Sequence, residues 1–278
     1  MRSPKRFAFA VLASAVLTAT IAALAYGTRG AGELSASTSR VVWSAGMETG
    51  DLSEWEVGGT GDASWDSRRC FRPPNGVSTA AARSGRYSMA MTIDTSQGDA
   101  GCRQARYRES RTGRPFYYGA WFYLPMRTVA DDYWNIFQLK SKRRGAEGSD
   151  PFWVVDVMPR RNGALALRLR WKGLVPGPFA QDGSARRTWS QSAVNVPVGR
   201  WFHIEAYVRQ SGGYGGRVAV WQDGVRLWNL DGVRTRYEDG DQRWTVNNYS
   251  DDLTPARATL YVDDATVATR RAGTTFRP

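Results

Sequence analysis

Beyond residue 40 the chain repeats one pattern. Short runs in which apolar and polar residues alternate are broken by glycine, proline, aspartate or asparagine. They include "RVVWSAGM", "YSMAMTI", "RQARYRE", "FYYGAWFYL", "WNIFQLK", "FWVVDVM", "ALALRLRWK", "RWFHIEAYV", "RVAVWQDGVRLWNL", "RWTVNNY" and "ATLYVDDATVA". A period of two predicts half-buried strands, and a helical period is scarce. Asp223-Gly224 inside "WQDGVRLW" supplies the turn of a hairpin. Many short strands without intervening helices predict an all-β fold, an antiparallel β-sandwich, and at this length a jelly roll.

Alternation also assigns faces. In "ALALRLRWK", Leu165, Leu167, Leu169 and Trp171 share the core side, leaving Ala166, Arg168, Arg170 and Lys172 on the other. In "WFHIEAYV", Phe202, Ile204, Ala206 and Val208 oppose Trp201, His203, Glu205 and Tyr207. Tyr117, Trp121 and Tyr123 share a face of "FYYGAWFYL", and Gln138 and Lys140 share one of "WNIFQLK". A merely solvated face carries Thr, Ser, Lys and Glu. These second faces carry aromatics, amides and cations, as the lining of a ligand groove would.

Composition changes the picture at the N-terminus. Arg2, Lys5 and Arg6 precede the apolar run "FAFAVLASAVLTATIAALAY", which closes on "ALA" at 23–25. Residues 1–26 read as a signal peptide cleaved near Ala25, or as an N-terminal anchor if uncleaved. Either way the remainder is secreted or cell-surface. Residues 27–40 are small and polar, a linker, and 41–278 form one domain. The formal charge is +12; residues 1–30 hold four bases and no acids, so 34 bases face 26 acids in the rest, a net +8. A basic exported chain suits an anionic partner. Cys70 and Cys102 are the only cysteines and are expected to pair in an oxidising compartment. One histidine, His203, and no CxxC disfavour a zinc site of the usual ligands.

The order of "METGDLSEW", "YYGAWFYLP", "WNIFQLK", "VGRWFHIEAYVR", "WQDGV", "VNNY" and "LYVDD" resembles the concanavalin-like jelly-roll polysaccharide lyases. The match is to the heparin lyase I-like group, with glucuronan and alginate lyases as relatives, over about residues 41–270. In alginate lyases an arginine-glutamate strand, a Q-x-H strand and a late tyrosine strand surround the groove. The resemblance places Gln138 at the glutamine, Lys140 where histidine stands, Tyr249 at the tyrosine, and Arg106 or Arg108 at the arginine, with Glu109 as the candidate glutamate.

What this implies is β-elimination from a uronate-containing, acidic polysaccharide. The C5 proton lies α to a carboxylate, so elimination needs donors that offset the carboxylate charge, a base at C5 and an acid at the leaving oxygen. Gln138 and a bidentate arginine suit the carboxylate. Tyr249 suits proton transfer, though a phenol needs cationic neighbours to act near neutrality. Lys140 and His203 compete for the base. Arg108, Arg168 and Arg170 are candidates for holding substrate carboxylates, and Trp121 and Tyr123 for stacking on sugar rings.

Glu48 in "METGD" and Asp264 in "YVDD", with Asp51 as a further donor, could hold a structural calcium as related sugar-binding domains do; no cofactor is expected in catalysis. The alternative function is a non-catalytic carbohydrate-binding module on the same sandwich. Hydrolysis is disfavoured because the paired-carboxylate "E-x-D-x-x-E" strand is absent, and export disfavours nucleic acid as a partner. The expected state is a monomer, touching membrane only through an uncleaved anchor.

Overall fold

The computed structural model describes residues 41–55, 75–98, 101–106, 109, 113–146, 148–172 and 187–272. These lie in one compact unit, 38–278. The expected signal or anchor and linker (1–40), Cys70 and Arg108 fall outside the described residues.

Alternation yields strands throughout. In chain order these are β1 (Val41–Ala45), β2 (Gly76–Ser78), β3 (Ser88–Asp94), β4 (Gly101–Arg106), β5 (Phe116–Tyr123), β6 (Val129–Ala130), β7 (Asn135–Lys142) and β8 (Asp150–Pro159). They continue with β9 (Leu165–Trp171), β10 (Arg187–Ser190), β11 (Trp201–Arg209), β12 (Gly216–Gln222), β13 (Val225–Val233), β14 (Asp241–Tyr249), β15 (Leu253–Thr254) and β16 (Arg257–Ala268). An eight-stranded sheet runs β13-β12-β11-β5-β16-β3-β2, with β1 also on β16. A six-stranded sheet runs β10-β9-β8-β7-β14-β4. Every pairing is antiparallel. The chain is an all-β sandwich of the jelly-roll kind.

One core lies between the sheets. Phe122, Phe202 and Ile204 of the larger sheet meet Trp153, Leu167 and Trp244 of the smaller. Trp244 is fully buried, its ring centroid 5.5 Å from those of both Tyr118 and Phe137. It thereby pins β14 beneath whatever its opposite face displays, an anchor whose truncation would cost about 3–5 kcal/mol. The β12–β13 turn has Asp223 and Gly224 both at positive φ, 49° and 83°, as a two-residue hairpin of this hand requires.

Candidate active site

β14 runs between β7 and β4, and its register decides which side chains meet. Trp244 stands opposite Leu139 and Val246 opposite Phe137, all facing the core. The residues between them therefore face outward. Gln138 is opposite Thr245 and Lys140 opposite Arg243, in adjacent rows of one face. Two strands away on β9, Arg170 and Arg168 face the same way, opposite Val154 and Asp156 of β8. Gln138, Lys140 and Tyr249 thus share the outer face of the six-stranded sheet with Arg168 and Arg170.

A bulge shapes this face. Between Asn135 and Phe137, β7 carries an extra residue, Ile136, against β8. Ile136 and Phe137 both point into the core, so Asn135 is turned outward beside Tyr249, its cross-strand partner. Bulges re-aim side chains in this way. Tyr249 lies flat on the neighbouring backbone: a Cβ at Gly101 would meet its Cδ2 at 2.5 Å, so a glycine is needed there.

The phenol of Tyr249 has structured company. Its ring centroid is 5.4 Å from that of Tyr133, the Arg103 guanidinium lies 5.7 Å from its centroid, and the Arg170 guanidinium lies 5.2 Å from that of Tyr133. Two tyrosines are thus flanked by two arginines. The Tyr133 hydroxyl donates to Asp251. Burial, followed by that hydrogen bond and the neighbouring Tyr249 hydroxyl, pushes its pKa far above the ordinary phenol value, so Tyr133 keeps its proton.

Polar atoms on this face are buried and incompletely satisfied. Gln138 and Lys140 are each 5% exposed. Gln138 Oε1, Thr245 Oγ1 and Asn135 Nδ2 have no hydrogen-bond partner among the described residues. An unsatisfied buried polar group costs about 1–3 kcal/mol, and three on one face suit a site whose ligand supplies the partners. The face is also cationic: Arg103, Lys140, Lys142, Arg168, Arg170 and Arg243 outnumber Asp156 and Asp241. Asp156 is fully buried; Arg168 Nη2 reaches its Oδ2 at 3.1 Å and Arg170 Nη2 its Oδ1 at 2.8 Å. Both expected substrate arginines are therefore fixed in place by one carboxylate.

Other expected residues lie elsewhere. Arg106 is opposite Trp244 and so faces inward. Its guanidinium lies 4.7 Å from the Trp43 centroid and pairs with Glu109 at 2.7 Å. The arginine of β4 that faces outward is Arg103, opposite Asn247. Arg103 precedes "RYRES", the segment that carries the resemblance, and has no local signal of its own.

His203, Trp121 and Tyr123 belong to β11 and β5 of the larger sheet, on its outer face, and so do not join Gln138. Trp121 is opposite His203, with ring centroids 5.0 Å apart, and Tyr123 packs against Trp201 and Tyr261. His203 is 3% exposed and fills the space over Gly119, where a Cβ would meet its Nε2 at 2.9 Å. Burial, then the charges of Arg83 and Arg271, lower its pKa to about 3.

With a folded pKa below the unfolded value, His203 contributes stability that is present above the unfolded pKa and lost as pH falls from about 6.5 toward 3. The slope for such a group is about 1.4 kcal/mol per pH unit. His203→Gln is expected to flatten the acid limb of melting temperature against pH. Turnover should stay within about twofold, since the residue touches no reacting group. A turnover loss exceeding the stability loss would return His203 to the mechanism.

The calcium donors do not fit that ion as arranged. Both oxygens of Glu48 accept backbone amides, from Arg86 at 3.0 Å and Tyr87 at 2.9 Å. Asp264 pairs with the Arg83 guanidinium and accepts from Ser84 Oγ at 2.7 Å. Asp51 accepts from Thr49 and Ser53 within its own turn. A guanidinium against the would-be ligand disfavours a divalent cation, and no group of three His, Cys, Asp or Glu able to hold a metal occurs among the described residues. Cys102 is buried in β4.

With this geometry in hand, comparison decides the family. The model described as Polysaccharide lyase matches residues 47–265. The chain belongs to the polysaccharide lyase family. No curated protein matches it. Among solved structures this polysaccharide lyase is similar to the endo-β-1,4-glucuronan lyase of the fungus Trichoderma reesei. Identity there is 18% and the TM-score 0.61, over 83% of this chain and 96% of the other. It is also similar to the alginate lyase of Aplysia kurodai, at 13% identity and TM-score 0.51, over 82% and 98% of the two chains. At such identities the likeness shows a shared fold.

Proposed function

We propose that this polysaccharide lyase cleaves a uronate-containing, acidic polysaccharide by β-elimination at the outer face of its six-stranded sheet. The observation that carries the reading is the meeting of Gln138, Lys140 and Tyr249 on one cationic face, where the buried Gln138 amide oxygen, without a partner among the described residues, can accept from a sugar hydroxyl. A site that waits for a ligand and already favours negative charge suits a polyuronate.

The reaction follows from these groups. The amide of Gln138 and a guanidinium engage the uronate carboxylate at the cleavage point and stabilise the charge that develops on it once C5 loses its proton. Arg170, in the cross-strand row of Gln138 through Val154, takes the guanidinium role expected of Arg106. Tyr249, as tyrosinate, accepts the C5 proton. The C5–H electron pair becomes the C4–C5 double bond, the C4–O bond breaks, and the phenol returns a proton to the leaving oxygen. Lys140 and Arg243 stand on the far side of Gln138 from Tyr249 and hold the polymer's negative charge there.

The basic, apolar N-terminus supports export to the medium or the cell surface. A Cys70–Cys102 disulfide and a monomeric state accord with that setting. The test is a panel of glucuronan, alginate and heparin-type polymers read for the ultraviolet absorbance of the unsaturated product. At least one should give product. Binding without product on every uronate polymer would replace this reading with a carbohydrate-binding module.

A further inference from the structure

Beside Tyr249 a row of side chains has one possible polarity. Arg103 Nε donates to Asn247 Oδ1 at 2.8 Å. A guanidinium has donors and no acceptor, so Asn247 must present its oxygen to Arg103 and its nitrogen to the other side. There Asn247 Nδ2 donates to Asn135 Oδ1. Asn135 is thereby forced to turn its own Nδ2 away from the row, and that atom has no partner among the described residues. Asn135 is 1% exposed and Asn247 fully buried. The charge at one end and the hydrogen bonds between polarise the last N–H as a donor.

We propose that Asn135 contacts substrate, its Nδ2 donating to the same uronate carboxylate that Gln138 engages, and that Arg103 and Asn247 are positioning residues that aim it. The inference rests on the elimination proposed above. Three features support it. The Ile136 bulge turns Asn135 outward, against the alternation that would bury it. Asn135 stands directly across the strand pair from Tyr249. The surrounding cations select an anionic acceptor for the open donor. A packing role alone would need the Oδ1 that receives Asn247 and would have no use for a buried, open N–H.

The test separates the two ends of the amide. Asn135→Asp keeps an oxygen for Asn247 and replaces only the donor. Asn135→Ala removes the side-chain donor and acceptor together without setting a carboxylate opposite Asp156. Both are assayed on whichever polymer the wild-type enzyme cleaves, with thermal melting to confirm the fold. Loss of one preorganised donor should lower kcat about 100-fold or more in both. Either variant, folded and within about threefold of wild-type kcat, would overturn the inference.

Arg103→Lys should lower kcat in the wild-type background and add little in Asn135→Asp, because both changes act through one N–H; a full additive loss would deny the relay. A wild-type enzyme inactive on every uronate polymer defeats the elimination itself. An active wild type with active Asn135 variants defeats this inference alone.

Discussion

Tyr249→Phe should lower turnover on the cleaved polymer about a thousandfold, the scale of a lost general acid–base group. Polymer affinity should change by less than about threefold, because the substitution removes a proton carrier and no binding surface. The ring's contacts with Tyr133 and with the Arg103 guanidinium remain in phenylalanine, and its seat on the Gly101 backbone is unchanged. Only the oxygen goes. Kinetics on the cleaved polymer, paired with calorimetric binding, check this. Equal losses of rate and affinity would mean that Tyr249 holds the site together and carries no proton.

Gln138→Ala should lower kcat by about 100- to 1,000-fold, the usual result of removing one donor aimed at developing charge. Its effect on the fold should be small and of unusual sign. The wild-type amide oxygen is buried without a partner, so its removal offsets part of the packing lost from a side chain that faces away from the core. Melting temperature should therefore stay near wild type while the rate collapses. A variant that melts early and keeps its rate per folded molecule would make Gln138 a structural residue.

The contrast with the larger sheet shows what the sequence could reveal. Period-two alternation placed the core sides of β9 and β11 correctly, Leu165, Leu167 and Leu169 in one and Phe202, Ile204 and Ala206 in the other. It placed Gln138 and Lys140 on one outward face. Alternation gives the face of a strand and not the sheet to which the strand belongs. Trp121, Tyr123 and His203 therefore read as companions of Gln138 although β5 and β11 lie in the other sheet. Pairing across some 140 residues of chain, as between Arg103 and Asn247, leaves no local trace.

Asn135 was hidden for a different reason. Counting by twos from Gln138 assigns it to the core side, and only the bulge at Ile136 reverses that. Arg106 and Arg103 are three residues apart on β4 and necessarily face opposite ways, and the side is set by Trp244 across the strand pair. A tryptophan in "RWTVNNY" that must be buried was the signal that could have fixed β14. The partner strand carried no comparable marker.

The most direct measurement is mass spectrometry of the oligosaccharides formed in heavy-oxygen water from the polymer that the panel selects. Elimination predicts products with an unsaturated non-reducing end, one water lighter than hydrolytic fragments, and no heavy oxygen introduced by cleavage. Saturated fragments, each carrying one heavy oxygen from solvent at the cleaved bond, would contradict it.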